Sequence, residues 1–89
     1  MSGRKGTYPK ADRHISISGL RVSELSVVAK VSEKSILRVR RQEEVLATTI
    51  QRIINALNEE YFNPKKNQVP LEFDREFVPA GDGSGAKPS

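Results

Sequence analysis

Apolar residues recur with helical spacing in three stretches of the 89-residue chain. In the longest, Ile50, Ile53, Ile54, Leu57 and Tyr61 fall at i, i+3, i+4, i+7 and i+11, which predicts an amphipathic helix over about 47–61. Asn63-Pro64 stops it, because proline disfavours helical geometry in the residue before it. Upstream, Leu25, Val28 and Ala29 at i, i+3 and i+4 predict a short helix beginning near Arg21 or Ser23. Ser23 is the expected N-cap, and Glu24 then sits favourably near the positive helix end. Ile36 and Val39, one turn apart, mark a third helix within 32–41, capped by Ser32 with Glu33 behind it. Between the two short helices, Ala29-Lys30-Val31 leaves room only for a tight link. Such a link favours a positive φ, which costs a lysine about 1 kcal/mol where glycine adopts it freely.

Alternation with a period of two predicts two short strands. His14 to Ser18 places Ile15 and Ile17 on one side and ends at Gly19. Residues 69–77 place Val69, Leu71, Phe73 and Phe77 opposite Glu72, Asp74 and Glu76, with Pro70 confining the strand to an edge or its first positions. The expected partners are each other or the same segments of a second subunit. Residues 1–13 carry four basic side chains and no apolar period, which reads as a mobile basic arm. Such an arm suits a path along phosphates or into a minor groove. From Pro79 onward, Gly, Pro and Ser predict a flexible tail. The expected architecture is mainly α: a three-helix helix-turn-helix domain over 14–78, with short terminal β-strands pairing within or between subunits.

Composition narrows the function. A single domain of this length buries only about 60% of its unfolded surface, so a homodimer is expected. With no cysteine and one histidine, a disulfide framework, a thiol nucleophile and a cysteine zinc site are excluded; no metal or cofactor is expected, and the setting is reducing and cytoplasmic. His14, without a companion ligand, reads as structural or solvent-facing. No apolar run approaches a membrane span. No phosphate-cradling glycine loop, nucleophile with its base, or convergent carboxylate pair marks an enzyme. Residues 1–41 hold ten Lys and Arg against three acids, a charge of +7, while residues 42–89 hold five against eight, a charge of −3. A basic half containing the paired short helices is the footprint of a surface that neutralises phosphates.

Geometry gives each candidate residue a role. The major groove is about 12 Å wide and admits one helix, whose N-terminal residues meet base edges while the preceding helix crosses the backbone. Lys34 can donate to guanine, Glu33 can accept from cytosine, and Leu37 can touch a thymine methyl. Ser32 and Ser35 suit bases or phosphates. Arg38, Arg40 and Arg41, further along, suit phosphate clamping, which positions without reading sequence. Ser23, at the start of the preceding helix, completes the candidate surface, and Ile36 and Val39 belong to the core.

The stretch Gly19-Leu20-Arg21-Val22-Ser23-Glu24-Leu25-Ser26-Val27-Val28-Ala29-Lys30-Val31-Ser32, with Ser35-Ile36-Leu37-Arg38-Val39 and Thr48-Thr49-Ile50-Gln51-Arg52-Ile53-Ile54-Asn55-Ala56-Leu57, resembles the Xre, or phage-lambda-repressor-like, helix-turn-helix regulators. The resemblance implies a reading segment over Ser32 to Leu37, a phosphate contact at Arg38, and packing positions at Leu25, Ser26, Val31, Ile36 and Val39. The chain departs from that pattern at Arg21, where a capping Ser or Thr is usual, at Lys30 in place of the turn glycine, and at Leu37 in place of a small polar residue. The family pattern also has an amphipathic helix ahead of Gly19, where alternation here predicts a strand. The expected function is a sequence-specific double-stranded DNA-binding regulator, a repressor. The alternative is a helix-turn-helix that docks another protein, such as an antiactivator or antitoxin.

Overall fold

A computed structural model describes residues 4–80. In chain order they form β1 (Lys5–Thr7), α1 (Ala11–Ser18), α2 (Val22–Ala29), α3 (Glu33–Arg40), β2 (Val45–Leu46), α4 (Ala47–Glu60), α5 (Phe73–Glu76) and β3 (Val78–Pro79), with a 3-10 turn over Pro64–Lys66. The chain is mainly helical and carries one small antiparallel sheet.

The stripe on α4 organises the core. Ile50, Ile53, Ile54 and Leu57 are buried, joined by Ala47 and Ala56. Against them pack Ala11 and Ile15 from α1, Leu25 and Ala29 from α2, and Ile36 and Val39 from α3. Each fully buried aliphatic side chain contributes about 1.5–3 kcal/mol. After α4, the Asn63 amide donates to the carbonyls of Asn58 and Glu59 at 2.8 and 3.3 Å, satisfying acceptors that a helix end leaves open.

The sheet has the order β2-β1-β3. Gly6 lies opposite Val45 on one side and Pro79 on the other. Two further backbone bonds extend the pairing, Ala47 N–H to Arg4 O at 2.6 Å and Ala80 N–H to Lys5 O at 2.9 Å. Pro79, which has no N–H to offer, sits on an edge strand as its chemistry requires. Gly6 is held to glycine by close approach: a methyl there would overlap the Val78 carbonyl and the Phe77 ring. Phe77 in turn stacks on Phe73 with centroids 4.8 Å apart and receives the Arg4 guanidinium at 5.2 Å.

Several expectations are corrected. Residues 14–18 are helical within α1, because Ala11 and Ile15 at i and i+4 enter the core while Ile17 remains 46% exposed. Gly19, at φ 76°, ends that helix. Residues 69–77 form no strand. Leu71 exchanges both backbone bonds with the Asn58 side chain at 2.8 and 2.9 Å, and Phe73 and Phe77 then share one face of α5. Within the arm, residues 4–13 are built into the fold as β1, the buried Tyr8 and the start of α1; residues 1–3 lie outside the described part. Val78–Pro79 is a strand where the tail was expected to begin, and 81–89 lie outside the described residues.

Tyr8 and His14 are in contact, and the buried Glu76 lies near enough to act on both through its charge. Burial, with Glu76 adding, holds the Tyr8 phenol well above its ordinary range, so it stays protonated, and its hydroxyl shares a hydrogen bond with His14 Nδ1 at 2.6 Å. The edge of the imidazole meets Phe62 with centroids 5.4 Å apart. Burial pushes the His14 pKa below 6.5; Glu76 opposes that shift, and Lys10 and Arg13 reinforce it.

Gly6→Ala is expected to lose about 1–3 kcal/mol in urea denaturation, since neither the Val78 carbonyl nor the packed Phe77 ring has room to yield. An unchanged midpoint would show that the sheet adapts. Because His14 is favoured neutral in the folded state, the unfolded chain binds more protons, and the stability it contributes is present above pH 6.5 and lost as pH falls through the lowered folded value. Urea midpoints measured from pH 7 to 5 should therefore fall more steeply for the native chain than for His14→Gln; parallel curves would remove His14 as the cause.

Candidate functional site

The surface around α3 begins at the link that precedes it. Lys30 ends α2 in the left-handed region at φ 61°, and Ser26 O accepts from both Lys30 N–H and Val31 N–H. Arg52 of α4, itself exposed, donates from Nη1 to the Lys30 carbonyl at 3.2 Å and pins the link from outside. Ser32 then turns extended and caps α3, its Oγ accepting Ser35 N–H at 3.1 Å. The Ser32 and Ser35 hydroxyls also bond each other at 2.9 Å. Ser23 is not the cap of α2. That position is Arg21, whose N–H donates to Glu24 Oε1 at 2.9 Å, and since a guanidinium cannot accept, only this half of a capping box forms. Ser23 lies exposed in the first turn.

Buried Ile36 and Val39 fix the rotation of α3 about its axis. Glu33, Lys34, Leu37, Arg38 and Arg41 consequently face solvent, with Leu37 42% exposed, while Ser35 and Arg40 are half-buried. The candidate residues of α3 therefore share one outward surface, except Arg40. Its guanidinium turns to Asp12 of α1, Nη2 to Oδ1 at 2.6 Å. Arg38 is likewise engaged, its Nε 3.2 Å from Glu43 Oε1. Among the described residues Lys34 and Arg41 form no ion pair.

The end of α3 explains how Glu43 reaches Arg38. Gln42 adopts φ 67°, so that its N–H bonds Val39 O at 3.0 Å and Glu43 N–H bonds Arg38 O at 3.0 Å, the paired bonds of a Schellman turn. A glutamine in that conformation is strained, and its Nε2 donates to Pro9 O at 2.9 Å, tying the turn to the segment before α1. Two shallow clefts flank Arg38. One, of about 290 Å³, is lined by Lys34, Arg38, Arg41 and Glu43. The other, also near 290 Å³, is lined by Lys5, Ser35, Arg38, Glu44 and Thr49 among others. Lys5 joins the surface only because β1 runs beside β2, which no local pattern in the sequence announces. Asp12 reaches Arg40 from α1 across 28 positions, which no local pattern announces either, whereas Glu43 follows from the turn geometry once Gln42 is placed at its centre.

Chemically the surface offers ammonium and guanidinium donors, one apolar contact at Leu37 and carboxylate acceptors at Glu33, Glu43 and Glu44. Among the described residues no three acidic, histidine or cysteine side chains converge as a metal site would require, and no helix is long and apolar enough to cross a membrane.

Lys30→Gly is expected to raise stability by about 0.5–1 kcal/mol, removing the left-handed strain of a side-chain-bearing residue, and to lift the thermal midpoint by a few degrees. A drop in the circular-dichroism melt would show that the Lys30 side chain itself stabilises the link.

No protein-family model, curated protein or solved structure matches the chain.

Proposed function

We propose that the chain is a sequence-specific double-stranded DNA-binding transcriptional regulator, a homodimeric repressor working in the cytoplasm. In this reading α2 and α3 are a helix-turn-helix braced by α4, and α3 enters the major groove. The observation that supports it most is the outward face of α3: Glu33, Lys34 and Leu37 stand exposed in its first half and Arg38 and Arg41 follow, with Ile36 and Val39 fixing that face outward. An eight-residue helix is about 12 Å long, a length that lies within a groove about 12 Å wide. Lys34 donates to guanine, Glu33 accepts from cytosine and Leu37 meets a thymine methyl, while Arg38 and Arg41 take phosphates. Arg40, held by Asp12, has the smaller part. Ser32 and Ser35 are first a cap, and a phosphate oxygen or base edge takes what hydrogen-bonding capacity remains. No enzymatic activity is proposed.

A second reading draws on Leu37, an apolar side chain 42% exposed at the centre of that face. It suits docking onto another protein, as an antiactivator or antitoxin would.

Selection of bound sequences from a randomised duplex pool, at low and near-physiological salt, separates the two. The expected result is an enriched inverted repeat with half-site centres roughly 34–36 Å apart, or another spacing set by the dimer. Lys34→Ala should relax preference at one position in each half-site, whereas Arg38→Ala should weaken binding to all duplexes and reduce the salt slope by about one. Retention only at low salt with no motif would overturn base reading and favour the docking module.

A further inference from the structure

The turn that ends α3 places a carboxylate on an exposed guanidinium of the candidate surface. Gln42 accepts a backbone conformation costly for a side-chain-bearing residue, and the Pro9 carbonyl holds it there. The result folds Glu43 back over the helix, its amide on Arg38 O and its carboxylate on Arg38 Nε. Both side chains are about half exposed, at 53% for Arg38 and 44% for Glu43, so the pair lies open to exchange with an anion from solution. Arg38 also lines the clefts on both of its sides, which leaves it reachable from either.

From this geometry we infer that Glu43 is an internal stand-in for a phosphate, so that Arg38 engages a nucleic-acid backbone by trading one anion for another. The inference rests on the DNA-binding reading and adds a regulator of its strength. Carboxylate and phosphate oxygens accept the same forked N–H donors, so occupation by Glu43 excludes a phosphate from Nε until the carboxylate swings away. Backbone contacts carry no sequence information, and Glu43 therefore sets how tightly any duplex is held without altering which sequence is read. Glu44 supplies a built-in comparison: it carries the same charge, lines the neighbouring cleft, and forms no ion pair among the described residues.

The test is a double-mutant cycle on the full chain, measuring affinity for a random-sequence duplex over a range of salt. Glu43→Gln is expected to bind about two- to fivefold tighter, the range an exposed ion pair allows, with an unchanged selected motif. Glu44→Gln should give a smaller gain. In an Arg38→Ala background, Glu43→Gln should fall to the effect of Glu44→Gln, since the guanidinium it would release is gone. A Glu43→Gln gain undiminished by Arg38→Ala, or matched by Glu44→Gln in the native background, would reduce Glu43 to a distant charge and overturn the inference while leaving DNA binding intact. If neither the native chain nor any variant binds a duplex, the DNA-binding reading falls and the inference with it.

Discussion

Helices of eight residues do not persist alone in water, because nucleating a helix costs more than so few hydrogen bonds return. Helices α1, α2 and α3 each have that length, and each is held by what it buries on α4. The dependence runs through to the outer surface. The rotation of α3, and so the set of side chains it shows to solvent, follows from two residues, Ile36 and Val39, seated in the same core that α4 organises. Arg52 adds a second tie from α4 by holding the carbonyl of the strained link.

Helical periodicity was legible wherever a stripe ran long enough to have one meaning. The positions of α2, α3 and α4 and the cap at Ser32 follow from spacing and from the chemistry of a serine hydroxyl. The terminal regions resisted the same treatment for physical reasons. Ile15 pairs with Ile17 at strand spacing and with Ala11 at helix spacing, and the burial of Ala11 with Ile15 in the shared core decides for the helix. Phe73 and Phe77 fit both periods as well, and the side chain of Asn58, a residue of α4, settles the matter by occupying the backbone of Leu71. Strands of two or three residues carry no pattern of their own, and their partners lie tens of residues away.

The candidate site divides along the same line. Which α3 residues face outward was readable once the core pair was recognised. What those residues touch was not, since Asp12 reaches Arg40 across 28 positions of sequence. The charge division between the two halves of the chain also changes meaning in three dimensions. Glu43 and Glu44 belong to the acidic half, yet the turn after α3 sets them beside its arginines. The surface is an interleaving of signs, with Arg38 and Arg40 each matched to a carboxylate and Lys34 and Arg41 left to act at longer range.

The sheet has a mechanical consequence. Strands β1 and β3 run antiparallel as direct neighbours, with Ala80 bonded to Lys5, so the chain enters at Arg4 and leaves after Ala80 from the same end of one ladder. Force applied between those two points falls on one hydrogen bond at a time and opens the pair like a zipper, instead of loading every bond together in shear. The first element to peel away would be β3, drawing Phe77 off Gly6 and then α5, while the helices seated on α4 stayed folded. The fold thus has a soft seam where residues 4 and 80 come together and a stiff body behind α3.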